Sequence, residues 1–299
     1  MKSDISVIIV GLNACGYLRD CVLSLQKAEW RGRSREFIYV DNGSTDDTLA
    51  MLKSEYPEVT VIANPANLGF CIASNQGAAI ANGRHLFFLN DDTVVYDDAI
   101  CLLSEFLDTV PAGGVAGSRL LNPDGTDQWS GRRFATPANA IFGRRSVLSK
   151  IFPNAAPVAK YLMKAELQSG NPFVVDWVSA AAMMVDRETF AAVGGFAEDY
   201  YYFHEAVICR RIQRKGRSIY LHPRSQIMHY EGKGSGKRPY PVQRRHIINF
   251  HQGAYRWFCE HHNLGPMNPL RWLAKAVIGA RAALLITGKR LATLRELHS

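Results

Sequence analysis

Acidic residues stand in this chain where short apolar runs stop. Leu86-Phe87-Phe88-Leu89 is followed by Asn90-Asp91-Asp92-Thr93, and Phe37-Ile38-Tyr39-Val40 by Asp41-Asn42-Gly43-Ser44-Thr45-Asp46-Asp47. Carboxylates at the mouth of a buried strand can hold a hard divalent cation, which takes oxygen ligands and shares them with phosphates. Asn and Asp also dominate turns and helix caps, so a plain structural reading stands beside the chemical one. In the second segment, Ser44 or Thr45 capping a helix with acids in its first turn accounts for part of the sequence. Asp41 directly ends its run, where its carboxylate can accept a hydrogen bond from an N–H of a nucleotide base.

The elements that must present these acids alternate in type. Ile5–Val10, Glu36–Val40, Val59–Ile62 and His85–Leu89 are short and rich in β-branched or aromatic residues. Tyr17–Lys27, Asp46–Tyr56 and Ile72–Ala81 between them have helical spacing. Such alternation predicts βαβ units and a mostly parallel sheet, with ligands beyond the carboxyl ends of its strands. Those ends read Gly11-Leu12-Asn13, Asp41-Asn42-Gly43-Ser44, Asn64-Pro65 and Asn90-Asp91-Asp92. From Asp124 to Phe173 the pattern weakens, as in a loop region or an acceptor-side insertion. It resumes with an apolar segment at Val174–Val185, helices near Arg187–Val193 and Glu205–Lys215, and a strand at Ser218–Leu221.

Several classes are excluded. The 6 cysteines form no CxxC pair, which argues against a zinc site or disulfide framework and for reduced thiols in a cytoplasmic compartment. The first apolar run is too short for a signal peptide and reads as a strand. No stretch of about 18 apolar residues suggests a spanning helix. No GxGxxG follows a strand, and Gly232-Lys233-Gly234-Ser235-Gly236-Lys237-Arg238 lacks the first Gly and final Ser or Thr of a P-loop.

The ordered motifs Val7-Ile8-Ile9-Val10, Val40-Asp41-Asn42-Gly43-Ser44-Thr45-Asp46, Asn64-Pro65-Ala66-Asn67-Leu68-Gly69-Phe70 and Leu89-Asn90-Asp91-Asp92-Thr93 resemble the family 2 glycosyltransferases. The resemblance continues through Val175-Asp176-Trp177-Val178-Ser179-Ala180-Ala181 and Val193-Gly194-Gly195-Phe196 to His229. Within the family the chain is similar to bacterial rhamnosyltransferase-type enzymes of cell-surface polysaccharide synthesis. The resemblance implies an α/β fold of GT-A type, Rossmann-like, with a mixed, mostly parallel sheet and flanking helices. It also implies a nucleotide-sugar donor, dTDP-rhamnose among the candidates, and a glycan or lipid-linked acceptor. Asp41 would contact the donor base, and Asn67 and Gly69 would lie along the donor pocket. Asn90-Asp91-Asp92 takes the place of the DXD motif, with Asp91 near the ribose or sugar. Asp92 and His229 would hold a divalent metal, Mn2+ or Mg2+. Glu205, in Phe203-His204-Glu205-Ala206-Val207-Ile208-Cys209, occupies the position of the general base, while Val207 replaces the family's second acid. The implied reaction is a single in-line displacement with inversion at the anomeric carbon. Trp177 would stack on a ligand or join the core, and Lys233, Lys237 and Arg238 would close over the diphosphate. Val207 and Asn90 leave room for a degenerate, non-catalytic member. A sugar-phosphate nucleotidyltransferase lacks support, since Val10-Gly11-Leu12-Asn13-Ala14-Cys15-Gly16 carries no basic residue.

Net charge divides the chain in two. Of 35 basic and 27 acidic residues, 11 basic and 2 acidic lie from Lys237 onward, leaving 24 and 25 in the rest. Residues 1–240 are therefore expected as a near-neutral catalytic domain and 241–299 as a basic amphipathic helical tail. Basic residues mixed with Trp, Leu, Ile and Val over Leu270–Leu294 suit an interfacial helix on an anionic membrane, rather than a nucleic-acid surface. That implies a cytoplasmic enzyme, peripheral at the inner face of the membrane.

Overall fold

The computed structural model describes residues 3–134, 163–230 and 239–297. The early apolar runs form β1 (Ile5–Gly11), β2 (Arg35–Asp41), β3 (Thr60–Ala63) and β4 (His85–Asn90), joined by α1 (Cys15–Lys27), α2 (Thr48–Glu55) and α3 (Phe70–Ile80). β1 lies between β2 and β4 and parallel to both, and β3 extends the sheet beyond β2. β1 reads as a continuous apolar run because both its faces are covered. Ile5, Val7 and Ile9 share one core with Leu18, Val22 and Leu25 of α1, while Ile8 and Val10 share another with Cys71 and Ala73 of α3.

The chain continues through β5 (Thr93–Val95), α4 (Ala99–Thr109), β6 (Gly113–Leu121), β7 (Gly131–Arg132) and α5 (Lys164–Gln168). Then come β8 (Phe173–Val175), β9 (Trp177–Val178), β10 (Ala182–Asp186), α6 (Arg187–Ala192), α7 (His204–Arg214) and β11 (Ser218–His229). The strand order is β3-β2-β1-β4-β10-β6-β11-β5, with β8 also on β11. β10 runs antiparallel to both β4 and β6, and β11 is parallel to β6. Two reversals cancel, so β11 points the same way as β1 and delivers His229 to the edge where β1, β2 and β4 end. The Val174–Val185 segment is three strands rather than one. Asp176 interrupts it by accepting the Phe134 N–H at 2.7 Å, and β9 then pairs with β7 in a separate ribbon.

Two helices follow, α8 (Tyr240–His261) and α9 (Pro269–Leu297). α8 lies on the segment that leads into α7: Trp257 is buried with Phe134, Tyr200, Ala206 and Val207. A side chain at Gly253 would bring its Cβ within 3.2 Å of the Phe203 ring. Arg256 meets Asp199 and Glu260 and lies over the Tyr200 ring. α9 packs along α8, with Arg271 donating to the Tyr255 hydroxyl at 3.1 Å and Arg281 3.3 Å from His251 Nε2. Part of the basic surplus thus holds the tail together and to the body. All six cysteines are free thiols.

Candidate functional site

The register of the sheet aligns the candidate residues before any side chain is considered. Gly11 pairs with Asp41 and Val10 with Asn90, so three strands end side by side. The loops beyond them are stitched together. Asn13 N–H donates to Ser44 Oγ at 2.9 Å, Thr45 N–H to Asn13 Oδ1 at 2.7 Å, and Cys15 N–H to Asp46 Oδ2 at 3.2 Å. The expected Ser44 or Thr45 cap is therefore corrected: Ser44 serves Asn13, and Asp46 divides its carboxylate between the start of α1 and the Thr48 N–H that opens α2, at 3.1 Å, while the cap residue Asp47 makes no side-chain hydrogen bond. Asp41 is buried, and its carboxylate accepts the N–H groups of Gly43 at 3.0 Å and Ser44 at 2.8 Å together with the Ser44 hydroxyl. A carboxylate has about four lone-pair sites. Most of those of Asp41 shape its own loop.

Asp91 turns back under β1. An added Cβ at Gly11 would lie 2.1 Å from Asp91 Oδ2 and 2.5 Å from the Tyr39 hydroxyl, so only glycine leaves room for this carboxylate. Burial, and then the charge of Asp92, push its pKa up to about 8, although the Leu12 N–H opposes the shift. Burial followed by the charges of Asp91 and Asp41 raises the Tyr39 phenol as well. The turn itself is anchored by Cys21, whose thiol lies 3.8 Å from the Asn90 carbonyl and 3.6 Å from Thr93 Oγ1.

Asp92 meets His229. Asp92 Oδ1 is 3.1 Å from His229 Nε2, and Asn90 Nδ2 is 3.2 Å from the same nitrogen. Backbone pairing sets this approach, because His229 is opposite Thr93 in the β5–β11 ladder and Tyr230 N–H donates to the Asp92 carbonyl at 2.9 Å. The pair fits a divalent ion: two ligands about 2.1 Å from one octahedral cation at a right angle lie about 3.0 Å apart. Among the described residues no group of three His, Cys, Asp or Glu side chains surrounds such a point. Two protein ligands, with phosphate oxygens and water completing the shell, are the usual arrangement for a phosphate-bridging ion.

Asn67 is exposed before α3, its Oδ1 accepting the Gly69 N–H at 2.9 Å, and Gly69 takes φ +86° as the cap of that helix. Phe70 stacks at 4.9 Å on the His204 ring at the start of α7. The Asn67–Gly69 loop and Glu205 are thereby brought to one wall. Glu205 stands in the first turn of α7 with Oε2 3.4 Å from His204 Nε2, and its charge is felt by the Cys71 thiol. Val207, where the family pattern has an acid, is buried beneath Trp257. Trp177 is partly buried, its ring covered by the Arg132 guanidinium at 4.7 Å and its indole N–H donating to the Arg133 carbonyl at 3.3 Å. Lys233, Lys237 and Arg238 lie outside the described residues.

A family model described as Glycosyl transferase family 2 matches residues 6–174, more than half of the chain. The chain belongs to that family. An N-acetylglucosaminyl-diphospho-decaprenol L-rhamnosyltransferase of Mycobacterium tuberculosis is 26% identical, with 96% of this chain and 94% of the relative covered. Among solved structures, a mannosyltransferase from Pyrobaculum calidifontis in complex with GDP-Man and Mn2+ superposes with a TM-score of 0.60 at 17% identity, covering 98% of this chain and 81% of that one. GalNAc-T7 with UDP, GalNAc and Mn2+ gives 0.58 at 16%, covering 93% and 54%. The sheet is thus of the GT-A type, and the chain is a glycosyltransferase. A nucleotidyltransferase is set aside by the family. Sequence reasoning missed Gln128, a buried residue that contacts His229 across 101 positions.

Proposed function

We propose that this glycosyltransferase moves a deoxyhexose, with dTDP-rhamnose the leading donor, onto a hydroxyl of a lipid-linked glycan, inverting the anomeric centre. The observation that carries the reading is the similarity, over nearly the whole of both chains, to a rhamnosyltransferase whose named acceptor is a polyprenyl-diphosphate sugar. The grouping of Asp41, Asn67, Gly69 and Asp91 along one edge supports a nucleotide-sugar site. Asp92 and His229 would hold a divalent ion, Mn2+ or Mg2+, which when bound neutralises charge on the departing diphosphate. Glu205 takes the proton of the acceptor hydroxyl as that oxygen attacks the anomeric carbon. His204, wedged against Phe70 and Phe196, holds the carboxylate in place. Trp177 would stack on the acceptor sugar only with ring surface that Arg132 leaves uncovered.

Thermal unfolding with Mn2+ and a panel of dTDP-, UDP- and GDP-sugars tests the donor. A ligand at a hundredfold excess over its Kd stabilises the native state by about 2.7 kcal/mol. The expected result is a clear rise in Tm with dTDP-rhamnose. A rise only with UDP- or GDP-sugars would replace that donor.

The division into a catalytic body, 1–240, and a helical tail, 241–299, belongs to the same proposal. No helix among the described residues is long and apolar enough to cross a membrane. α9 nevertheless leaves Leu273, Val277, Leu284 and Leu291 exposed, at 60%, 60%, 75% and 54%. These positions repeat every four or seven residues along one stripe of the helix, across from the half-buried Ala274, Ile278 and Ala282, with Lys289 and Arg290 also exposed on α9. An apolar stripe beside basic residues supports an interfacial helix on anionic lipid, where a lipid-linked acceptor is presented. The full chain should float with anionic liposomes at low salt and lose most of that binding with neutral ones. Failure to float with either removes the membrane from the proposal.

A further inference from the structure

His229 has two ring nitrogens, and the chemistry of the Asp92 corner depends on which carries the proton. Nδ1 lies 2.8 Å from Gln128 Oε1, and Nε2 faces Asp92 and Asn90. The assignment follows from a chain of hydrogen bonds whose direction is fixed at its far end. Asp124 Oδ1 accepts from both the Thr126 N–H at 3.0 Å and the Thr126 hydroxyl at 2.6 Å. With its proton committed there, Thr126 Oγ1 is the acceptor for Asn122 Nδ2 at 2.9 Å. That orients the Asn122 amide, so its Oδ1 receives Gln128 Nε2 at 2.9 Å. Gln128 Nε2 donates its other hydrogen to the backbone carbonyl of His229 at 2.6 Å. Both amide hydrogens are thus spent on oxygens. Reversing the Gln128 amide would set its oxygen against two other acceptors, so Oε1 must face the ring, and Nδ1 must donate to it.

The turn that holds this chain is rigid. Asn122 N–H and the Thr126 carbonyl pair at 2.7 Å, Gly125 sits at φ +81°, and Gln128 N–H returns to the Leu120 carbonyl at 2.9 Å. Gln128 is 3% exposed, so water offers no competing partner. On the other side of the ring, Nε2 then carries the single lone pair of the imidazole, with Asn90 Nδ2 at 3.2 Å and beside it an Asp92 oxygen that has only lone pairs of its own. Two acceptors 3.1 Å apart repel each other, and a cation between them relieves that.

We propose that Gln128 is a positioning residue: through the relay from Asp124 by way of Thr126 and Asn122, it fixes His229 as the Nδ1–H tautomer, so that Nε2 and Asp92 Oδ1 form a pre-set corner for a divalent cation. Metal-binding histidines are commonly oriented in this way by a partner on the second nitrogen. The cation itself rests on the reading under Proposed function, whereas the tautomer does not.

The test uses the full chain with 15N-labelled histidine at pH 8, together with Mn2+ alone titrated by the EPR signal of the free ion. Wild type should show His229 protonated at Nδ1 and not at Nε2. Gln128→Leu, which keeps size and removes the acceptor, should move the proton to Nε2 and weaken Mn2+ binding about 10- to 100-fold. Thr126→Val breaks the relay at its origin without touching the ring, and should produce a smaller change in the same direction. Because it is isosteric and on a surface turn, it also covers the case in which Gln128→Leu does not fold. A wild-type His229 protonated at Nε2, alone or at both nitrogens, overturns the proposal, as does an unchanged tautomer in Gln128→Leu. The expected tautomer with no Mn2+ binding by wild type upholds the role of Gln128 and retires the metal reading instead.

Discussion

Glu205→Gln should lower sugar transfer by about a thousandfold, within the range of 10²–10⁴ typical for loss of a general base, while donor affinity changes by less than about threefold. The amide keeps the size of the side chain and its contact with His204, 3.4 Å from Oε2, but cannot take a proton from the acceptor hydroxyl. The proposed donor site lies elsewhere, along the edge formed by Gly11, Asp41 and Asn90. Single-turnover rates at saturating acceptor, set beside donor Kd from calorimetry, separate the two effects. Glu205→Asp should recover part of the rate, because it restores a carboxylate one methylene shorter. Turnover of Glu205→Gln at the wild-type rate would sink the assignment, and equal losses in rate and donor affinity would place Glu205 in the donor site instead.

The elements that present the donor edge were legible because burial on both faces leaves β1, β2 and β4 as unbroken apolar runs. β6 was not, since its sequence opens with Gly113-Gly114 and includes Gly117 and Arg119. Packing explains the glycines: a Cβ at Gly117 would lie 2.7 Å from the Val178 side chain, and one at Gly114 2.6 Å from Ile212. Small residues demanded by neighbours look like a loop when the neighbours are unknown. β11 was seen only as far as Leu221, because Pro223 and Arg224 fall in the irregularity between His222 and Gln226. Pro in a strand marks such breaks, and here pairing resumes beyond it and carries His229 to the site.

The same limit governed the side chains. Asp41, Asp91 and Asp92 announced themselves by ending apolar runs, whereas Gln128 acts on a histidine 101 positions away, and nothing in its local sequence marks it. Val207 reads as a lost acid until α8 is placed over it. Val207 shares a buried apolar cluster with Trp257 of that helix, so the departure from the family pattern goes with the packing of the tail on the body. The basic surplus divides likewise: Arg256, Arg271 and Arg281 make contacts within the fold, and the exposed cations of α9 are the ones the proposal assigns to lipid.

Asp91→Asn should make the unliganded protein more stable at pH 8 by roughly 1–3 kcal/mol, the scale of an uncompensated buried polar group, and should strongly weaken donor binding. The folded protein holds the Asp91 proton up to about pH 8, against an ordinary value of 3.8. Between those two values the native state binds more protons than the unfolded chain, so this group's contribution to stability is intact below pH 3.8 and is lost as pH rises towards 8. Tm of the wild type without ligand should therefore carry a downward component from pH 5 to pH 8, and Asp91→Asn should remove it. The amide also relieves the repulsion with Asp92, next to which the ionised form must sit. A cation held at Asp92 and His229 supplies the opposite charge that this ionised form lacks, so Mn2+ with a nucleoside diphosphate should flatten the wild-type slope and leave the variant unaffected. On the proposed reading, stability is sacrificed at this position for an acid that acquires its partner only on binding. If wild type and variant have the same pH profile with and without ligand, Asp91 is already compensated in the free protein, and it has no such role.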